Sequence, residues 1–366
     1  MPPAAPAISH HPSRILITGG AGFIGCNLVR HLLDSCSTKR LVVLDALTYA
    51  SSLPALEAAS SGHGERFRFV EGDICVLPLV AELLSTEAIN TIVHLAAESH
   101  VDRSIDDPLA FVRTNVMGTA TLLQAARVAW HGRHDGVRFH HVSTDEVFGS
   151  LGPDGAFSES TPYDPSSPYS ASKAGSDHLV RAWYRTYGLP VTISNCSNNY
   201  GPWQFPEKLI PLMILKALAG ESLPVYGAGA NVRDWLHVED HCRAISVILR
   251  TGRPGSTYCV GGGNEMRNLD LVRLLCTILD QEAPSSEGPH RRLITHVLDR
   301  PGHDLRYAID PTLIRDELGW TPRIAPSDGL RSTVHWYLEH QHWLKAISEQ
   351  RYQGQRLGAP VRAMTP

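Results

Sequence analysis

Short, continuously apolar runs alternate with stretches of helical periodicity along the first two hundred residues of this 366-residue chain. The runs are RILITGG (14–20), LVVLDAL (41–47), FRFVEGD (67–73), TIVHLAA (91–97), VRFHHVSTDEVFG (137–149) and VTISNCSNNYG (191–201). Between them, FIGCNLVRHLL (23–33), VLPLVAELL (76–84) and a long stretch over 108–130 carry apolar residues at helical spacing. Strands that are apolar on both faces and separated by helices predict a parallel sheet covered on both sides. The pattern is that of a doubly wound α/β fold.

After about residue 200 the pattern changes. Proline and glycine punctuate the chain more often, as in GPWQFP, YGAGAN and TGRPG, and helical stretches fall near 207–219, 238–250, 268–280 and 326–347. The length corresponds to about two domains. The expected division is a nucleotide-binding domain over 14–200, with return segments near 234–262, and a smaller mixed α/β substrate lobe over 201–347. Residues 1–13 and 350–366 are expected to be flexible tails.

Composition narrows the class. Hydrophobic residues make up 43% and charged residues 19%, the proportions of a soluble globular protein. The net charge of −4 gives no global electrostatic reason to bind nucleic acid or an anionic membrane. No run approaches the roughly 18 apolar residues of a transmembrane helix. The start, MPPAAPAISHHPS, has neither a charged nor an apolar signal region. The seven cysteines are scattered without a CxxC, which suits the reducing cytoplasm and excludes a disulfide framework or thiolate zinc site. His131, His134, His140 and His141 suggest no metal site, because the first two fall in a loop and the last two point to opposite strand faces.

Candidate chemistry begins where the first run ends. Gly20, Gly22 and Gly25 fit GxGxxG, and Gly19, Gly22 and Gly25 fit GxxGxxG. A glycine pattern alone is weak. Here it follows a strand, opens a helix carrying Phe23 and Ile24, and has Asp45 twenty residues after Gly25 at the end of the second strand. That context is the Rossmann-type dinucleotide fingerprint: a tight turn, close backbone approach to a pyrophosphate, and helix amides aimed at it. A carboxylate at Asp45 bonds the ribose 2′-hydroxyl and repels a 2′-phosphate, so the expected cofactor is NAD. Asp73 and Ile74, after the third strand, are placed to reach the adenine edge; Asp73 could equally cap its turn.

Tyr169 and Lys173 are four residues apart, on one face of a helix that starts at Ser166-Ser167-Pro168. An ammonium beside a phenol is expected to lower the tyrosine pKa, so that tyrosinate takes an alcohol proton while the carbon loses hydride. Thr144, Asp145 and Glu146 end the fifth apolar run, at the ligand edge of such a sheet. Adjacent carboxyls in a closed crevice repel, which keeps one protonated as an acid while the other serves as a base. A solvated acidic turn is the plainer alternative.

At this point the sequence resembles the dTDP-glucose 4,6-dehydratase family of the extended short-chain dehydrogenase/reductase superfamily. The resemblance rests on GGAGFIG (19–25), HLAAESHVDRSI (94–105), STDEVFG (143–149), YSASK (169–173), NCSNNYGPWQFPEKLIP (195–211), RDWLHVEDH (233–241), GGGNEMRN (261–268) and DRPGHDLRYAID (299–310). Related epimerases lack the acid pair, and related decarboxylases keep a glutamate without the preceding aspartate. The resemblance implies that Tyr169 and Lys173 oxidise C4, Glu146 removes the C5 proton, Asp145 protonates the departing O6, and Thr144 bonds the C4 oxygen. It further implies that Thr48, Ala96 and Ala97 line the cofactor, and that Ser99 lies near the hexose. Asn198, Arg233, Asn268, Arg300 and His303 are implied at the diphosphate and nucleoside, Glu207, Lys208 and Leu209 at the entrance, and Pro224 and Tyr226 around the base. A homodimer is implied as well. Phe148 and Trp203 depart from the family pattern, the latter bearing on substrate specificity. A UDP-sugar epimerase or decarboxylase and a catalytically silent NAD-binding regulator are the competing readings.

Overall fold

The structure is a computed structural model that describes residues 9–35, 38–299 and 303–350. Among the described residues, seven parallel strands form the main sheet, in the spatial order β10-β6-β5-β4-β1-β2-β3. They are β1 (Arg14–Thr18), β2 (Arg40–Asp45), β3 (Phe67–Glu71), β4 (Thr91–His94), β5 (Arg138–Thr144), β6 (Val191–Cys196) and β10 (Thr257–Val260). Every residue of β4, β5 and β6 is buried, as expected of strands covered on both faces. One core cluster packs Leu16, Val42, Ile92 and Phe139 against Leu122 and Ala126. On the opposite face Ile15, Ile17 and Val43 meet Leu28, Cys242 and Ile245. Strand order reverses between β1 and β4, and the carboxyl ends of strands at such a point form the ligand crevice of doubly wound folds.

Two small sheets stand over that edge. β7 (Asn198–Tyr200), β9 (Val232–His237) and β11 (Glu265–Arg267) form one, and β8 (Leu223–Tyr226) pairs in parallel with β12 (Ile294–Val297). A separate core of Ile210, Met213, Val272, Leu275, Val334 and Tyr337 supports them. The segments after residue 234 divide their allegiance: β10 extends the main sheet beside β6, helix Val238–Thr251 covers its face, and β9 belongs to the small sheet. No described helix is long and apolar enough to cross a membrane.

Local departures have physical causes. The stretch over 108–130 is helical, with a π-helical segment at Val112–Gly118 that inserts Asn115 into the interior. The last helical stretch is broken into Pro326–Glu339 and Gln341–Gln350. The lead-in is not free throughout: buried His10 donates its backbone N–H to Arg250 O, and its ring bonds Thr91 Oγ1. Residues 1–8, and the expected tail after residue 350, lie outside the described residues.

Candidate active site

The glycine turn closes on itself so tightly that a side chain at Gly25 would place its Cβ 2.1 Å from Gly19 O. Gly19 itself has φ of +73° and packs its Cα against the Ala96 backbone. The helix Phe23–Asp34 therefore starts with its amides facing the crevice and no side chain in the way. Gly19, Gly22, Phe23, Ile24, Gly25, Asp45, Thr48, Asp73, Ile74, Ala96 and Ala97 all line this cleft. The Asp45 carboxylate also organises its own loop, accepting Ala21 N–H at 2.9 Å, Leu47 N–H at 2.9 Å and Ser51 Oγ–H at 2.8 Å. Three bonds leave a carboxylate with further acceptor capacity. Asp73 caps its turn by accepting Cys75 N–H at 2.8 Å, and it also lines the cleft. Amide-lined turn, helix terminus and acceptor carboxylate fit the pyrophosphate and ribose of NAD.

Helix Pro168–Tyr187 begins with a capping box. Ser167 Oγ accepts Ser170 N–H, Ser170 Oγ accepts Ser167 N–H, and Pro168 takes the first position. Tyr169 and Lys173 share its buried face, and Lys173 Nζ donates to Val142 O of β5 at 2.9 Å. The adjoining end of β5 turns at Thr144, whose hydroxyl accepts Glu146 N–H at 3.2 Å and donates to Asp145 Oδ1 at 3.3 Å. The two acids have unequal surroundings. Asp145 is 1% exposed and its Oδ2 has no partner, whereas Glu146 faces a neighbouring cavity. Burial, then the Glu146 carboxylate and Asp234, hold the Asp145 carboxyl well above the usual carboxylate range.

The expected lowering of Tyr169 by Lys173 is not what the chain's own groups produce. Burial first, and then the Glu146 charge, push the phenol well above its ordinary value, against a hydrogen bond from Thr144. Burial also pulls Lys173 down, and Asp177 opposes that. The physical reason is that the pair sits in a dry interior beside a carboxylate, a cost that sequence spacing does not reveal.

The neighbouring cavity is lined by Glu146, Asn198, Glu207, Lys208, Leu209, Pro224, Tyr226, Arg233, Asn268 and His303. Asn198 Oδ1 and Asn268 Oδ1 are buried without a partner. Arg233 lies 4.2 Å over the Tyr307 ring and donates to Val232 O and Asp304 O, which fixes its fork. Tyr226 meets His303 edge to face at 5.9 Å. Ser99 lines the cofactor cleft instead of this cavity, and its carbonyl accepts Lys208 Nζ at 3.0 Å. Glu207 borders both spaces, yet its carboxylate is engaged by Tyr49 OH and Arg103 Nε, each at 3.0 Å. Its carboxylate thus ties the two lobes together at the cavity wall. Arg300 lies outside the described residues.

Packing corrects the placement of Trp203 and shows what surrounds Phe148. Trp203 lines neither space; it sits among Trp336, His340 and Trp343, with centroids 4.7, 5.5 and 5.4 Å away. Phe148 stacks on Phe157 at 5.1 Å. Sequence reasoning missed Tyr49, Arg103, Asn115 and Asp177. Asn115 Nδ2 donates to Ser172 Oγ at 2.8 Å and to Glu98 O at 3.0 Å, tying the loop after β4 to the catalytic helix. Only Asp177 had a signal in the sequence, as the next residue in the four-residue spacing of Tyr169 and Lys173.

Sheet order, glycine turn and the tyrosine–lysine helix define an extended short-chain dehydrogenase/reductase. The GDP-mannose 4,6 dehydratase family model matches residues 16–333. The dTDP-glucose 4,6-dehydratase of Xanthomonas campestris pv. campestris (strain B100) is 54% identical over 352 residues, covering 94% of this chain and 99% of the relative. By this likeness the chain belongs to the dTDP-glucose 4,6-dehydratase family. The Escherichia coli (strain K12) dTDP-glucose 4,6-dehydratase 1 is 50% identical, covering 93% of this chain and 97% of its own. The crystal structure of the dTDP-glucose 4,6-dehydratase DesIV from Streptomyces venezuelae, with NAD and TYD bound, superposes with a TM-score of 0.84 at 48% identity. That match covers 91% of this chain and 99% of that one. A UDP-glucose 4-epimerase from Thermotoga maritima shares the fold at a TM-score of 0.78 but only 26% identity, covering 89% and 99%.

Proposed function

We propose that this chain is an NAD-dependent lyase that converts dTDP-glucose to dTDP-4-keto-6-deoxyglucose and water. The observation that carries the reading is the divided acid pair at the end of β5: Asp145 buried, with its carboxyl held well above the usual carboxylate range by that burial, and Glu146 open to the cavity. Elimination needs one group to take a proton from C5 and another to give one to O6, and two unlike carboxyls supply both. A C4 epimerisation needs neither.

NAD, when bound, accepts the C4 hydrogen as hydride, returns it at C6 in the same turnover, and brings a cationic ring near the phenol. Tyr169 takes the C4 hydroxyl proton, and Lys173 places its positive charge beside the phenolate. Thr144 donates to the C4 oxygen. The resulting ketone acidifies C5–H, Glu146 removes that proton, and Asp145 gives its own to the leaving hydroxyl. Glu146 then returns its proton to C5, and release of the Tyr169 proton with uptake of one by Asp145 resets the enzyme. Atoms balance as substrate going to product plus one water.

Arg233, Asn198, Asn268 and Lys208 hold the diphosphate and nucleoside, with Arg233 suited by its planar fork. Pro224, Tyr226 and His303 frame the base, while Leu209 and Glu207 shape the entrance. The reading includes a homodimer, supported by Leu109, Val112, Met117 and Val128 on the 108–129 helical stretch and Tyr187 on the neighbouring helix, all at least 46% exposed. It also includes a cytoplasmic setting, supported by six described cysteines that are all free thiols. Incubation with dTDP-glucose and mass analysis tests the function. Loss of one water is expected; an isomer of unchanged mass would indicate an epimerase, and no turnover a silent NAD-binding protein.

A further inference from the structure

The buried face of helix Pro168–Tyr187 does not end at its lysine. Tyr169, Lys173 and Asp177 follow at one-turn spacing, and Asp177 is 0% exposed. A carboxylate so deeply buried is costly unless charge and hydrogen bonds compensate it.

Its partners come from both sides of the catalytic site. Ser143 Oγ donates to Asp177 Oδ2 at 2.9 Å, Tyr163 OH at 2.7 Å, and Asn195 Nδ2 at 3.3 Å. The same Asn195 amide donates to Thr144 O at 3.0 Å, so one side chain links this carboxylate to the strand end that carries the acid pair. On the other oxygen, His141 Nε2 lies 3.2 Å from Asp177 Oδ1, 3.4 Å from Lys173 Nζ and 3.3 Å from Ser176 Oγ, so this ring stands between the lysine and the carboxylate.

We propose that Asp177 is the counter-ion and positioning residue of the catalytic pair: it keeps Lys173 charged in the interior and fixes the acid-bearing strand end against the catalytic helix. The proposal rests on the dehydratase reading above, in which Lys173 acts as an ammonium.

The charge balance around Lys173 supports it. From its own helix come Tyr169 and Asp177; from β4, His94; from β5, His141 and the Val142 carbonyl; from β6, Cys196. Burial holds His94 far below its ordinary range and His141 down to about 4, so both are neutral. Burial pushes the Cys196 thiol up to about 12. Burial holds the Asp145 carboxyl well above its ordinary range, and Glu146 lies on the cavity side. Beyond Asp177, the Arg181 cation lies 4.7 Å over the Tyr163 ring and donates to its hydroxyl at 2.6 Å. Among these inner groups Asp177 is the anion; against its burial, the adjacent His141, the charge on Lys173 and the hydrogen bond from Tyr163 hold it low.

The test is the pH profile of kcat for water loss. D177N preserves shape but removes the charge, so Lys173 should lose its proton at lower pH. The alkaline limb should move down by about one to three pH units. D177E should return the limb toward its wild-type position. A merely structural role would lower kcat evenly at every pH, and a D177N profile that superposes on wild type after scaling overturns the proposal. Should D177N not fold, D177S decides: it also removes the charge, so the alkaline limb should move down as for D177N, and an unmoved limb would likewise overturn the proposal. The two readings fail separately. A wild-type enzyme inert toward dTDP-glucose sinks the dehydratase function, whereas an active wild type with an unmoved D177N limb sinks only the counter-ion.

Discussion

The Thr144 hydroxyl accepts the Glu146 backbone N–H at 3.2 Å, capping the single turn that carries both acids. One side chain therefore shapes the acid turn and, in the proposed reaction, touches the reacting oxygen. Thr144→Val should cost about 1 kcal/mol in stability through the lost cap. Its kcat should fall by about a hundredfold, the range of a removed transition-state donor. Thr144→Ser should retain most of both. Denaturant melts and steady-state assays on the two variants check this.

Asp145 should make the protein less stable as pH rises. Burial and the Glu146 charge raise its folded-state pKa well above the unfolded value of about 3.9. Above that value the unfolded chain releases the proton while the native state keeps it, so the native state binds more protons and stability falls with pH. Asp145→Asn removes the titration. The variant should be more stable than wild type at about pH 8, with the difference closing toward about pH 4, and should lose dehydration by about two to four orders of magnitude. A stability difference that does not change with pH would contradict the burial argument.

Glu87 behaves in the opposite sense, far from the site. Hydrogen bonds from Arg40 of β2, and then from Arg68 of β3, hold its carboxyl down to about 2. Its stabilisation is complete above the unfolded pKa of about 4.3 and is lost as pH falls toward about 2. Glu87→Gln should cost on the order of 2 kcal/mol at neutral pH and nothing near the acid limit, as read by denaturation at both pH values.

Glu146→Gln should separate the two halves of the reaction. Oxidation at C4 needs Tyr169, Lys173 and Thr144, all still present, so rapid-quench samples should contain reduced cofactor and 4-keto sugar that retains its C6 hydroxyl. Unimpaired water loss in this variant would remove Glu146 from its assigned role.

Much of this site is legible in the sequence because its chemistry is written in local spacing. The turn from Gly19 to Gly25, the four-residue step from Tyr169 to Lys173, and the adjacent Asp145 and Glu146 all mark themselves within a few positions. What escaped is carried by long-range contacts. The ties that hold Glu207 at the cavity wall come from Tyr49 and Arg103, 158 and 104 residues away. Trp203 reads as a specificity position until the last two helices fold over it. The pKa of Tyr169 depends on how much water its neighbours exclude, which no spacing encodes.

The account requires that the hydrogen removed from C4 be the one delivered to C6 within a single active site. dTDP-glucose carrying deuterium at C4 tests this directly, by mass and NMR analysis of the product. The expected product has lost one water and carries the deuterium at C6 with none released to solvent. A dehydrated product with its deuterium in water, or label retained at C4, would contradict the account.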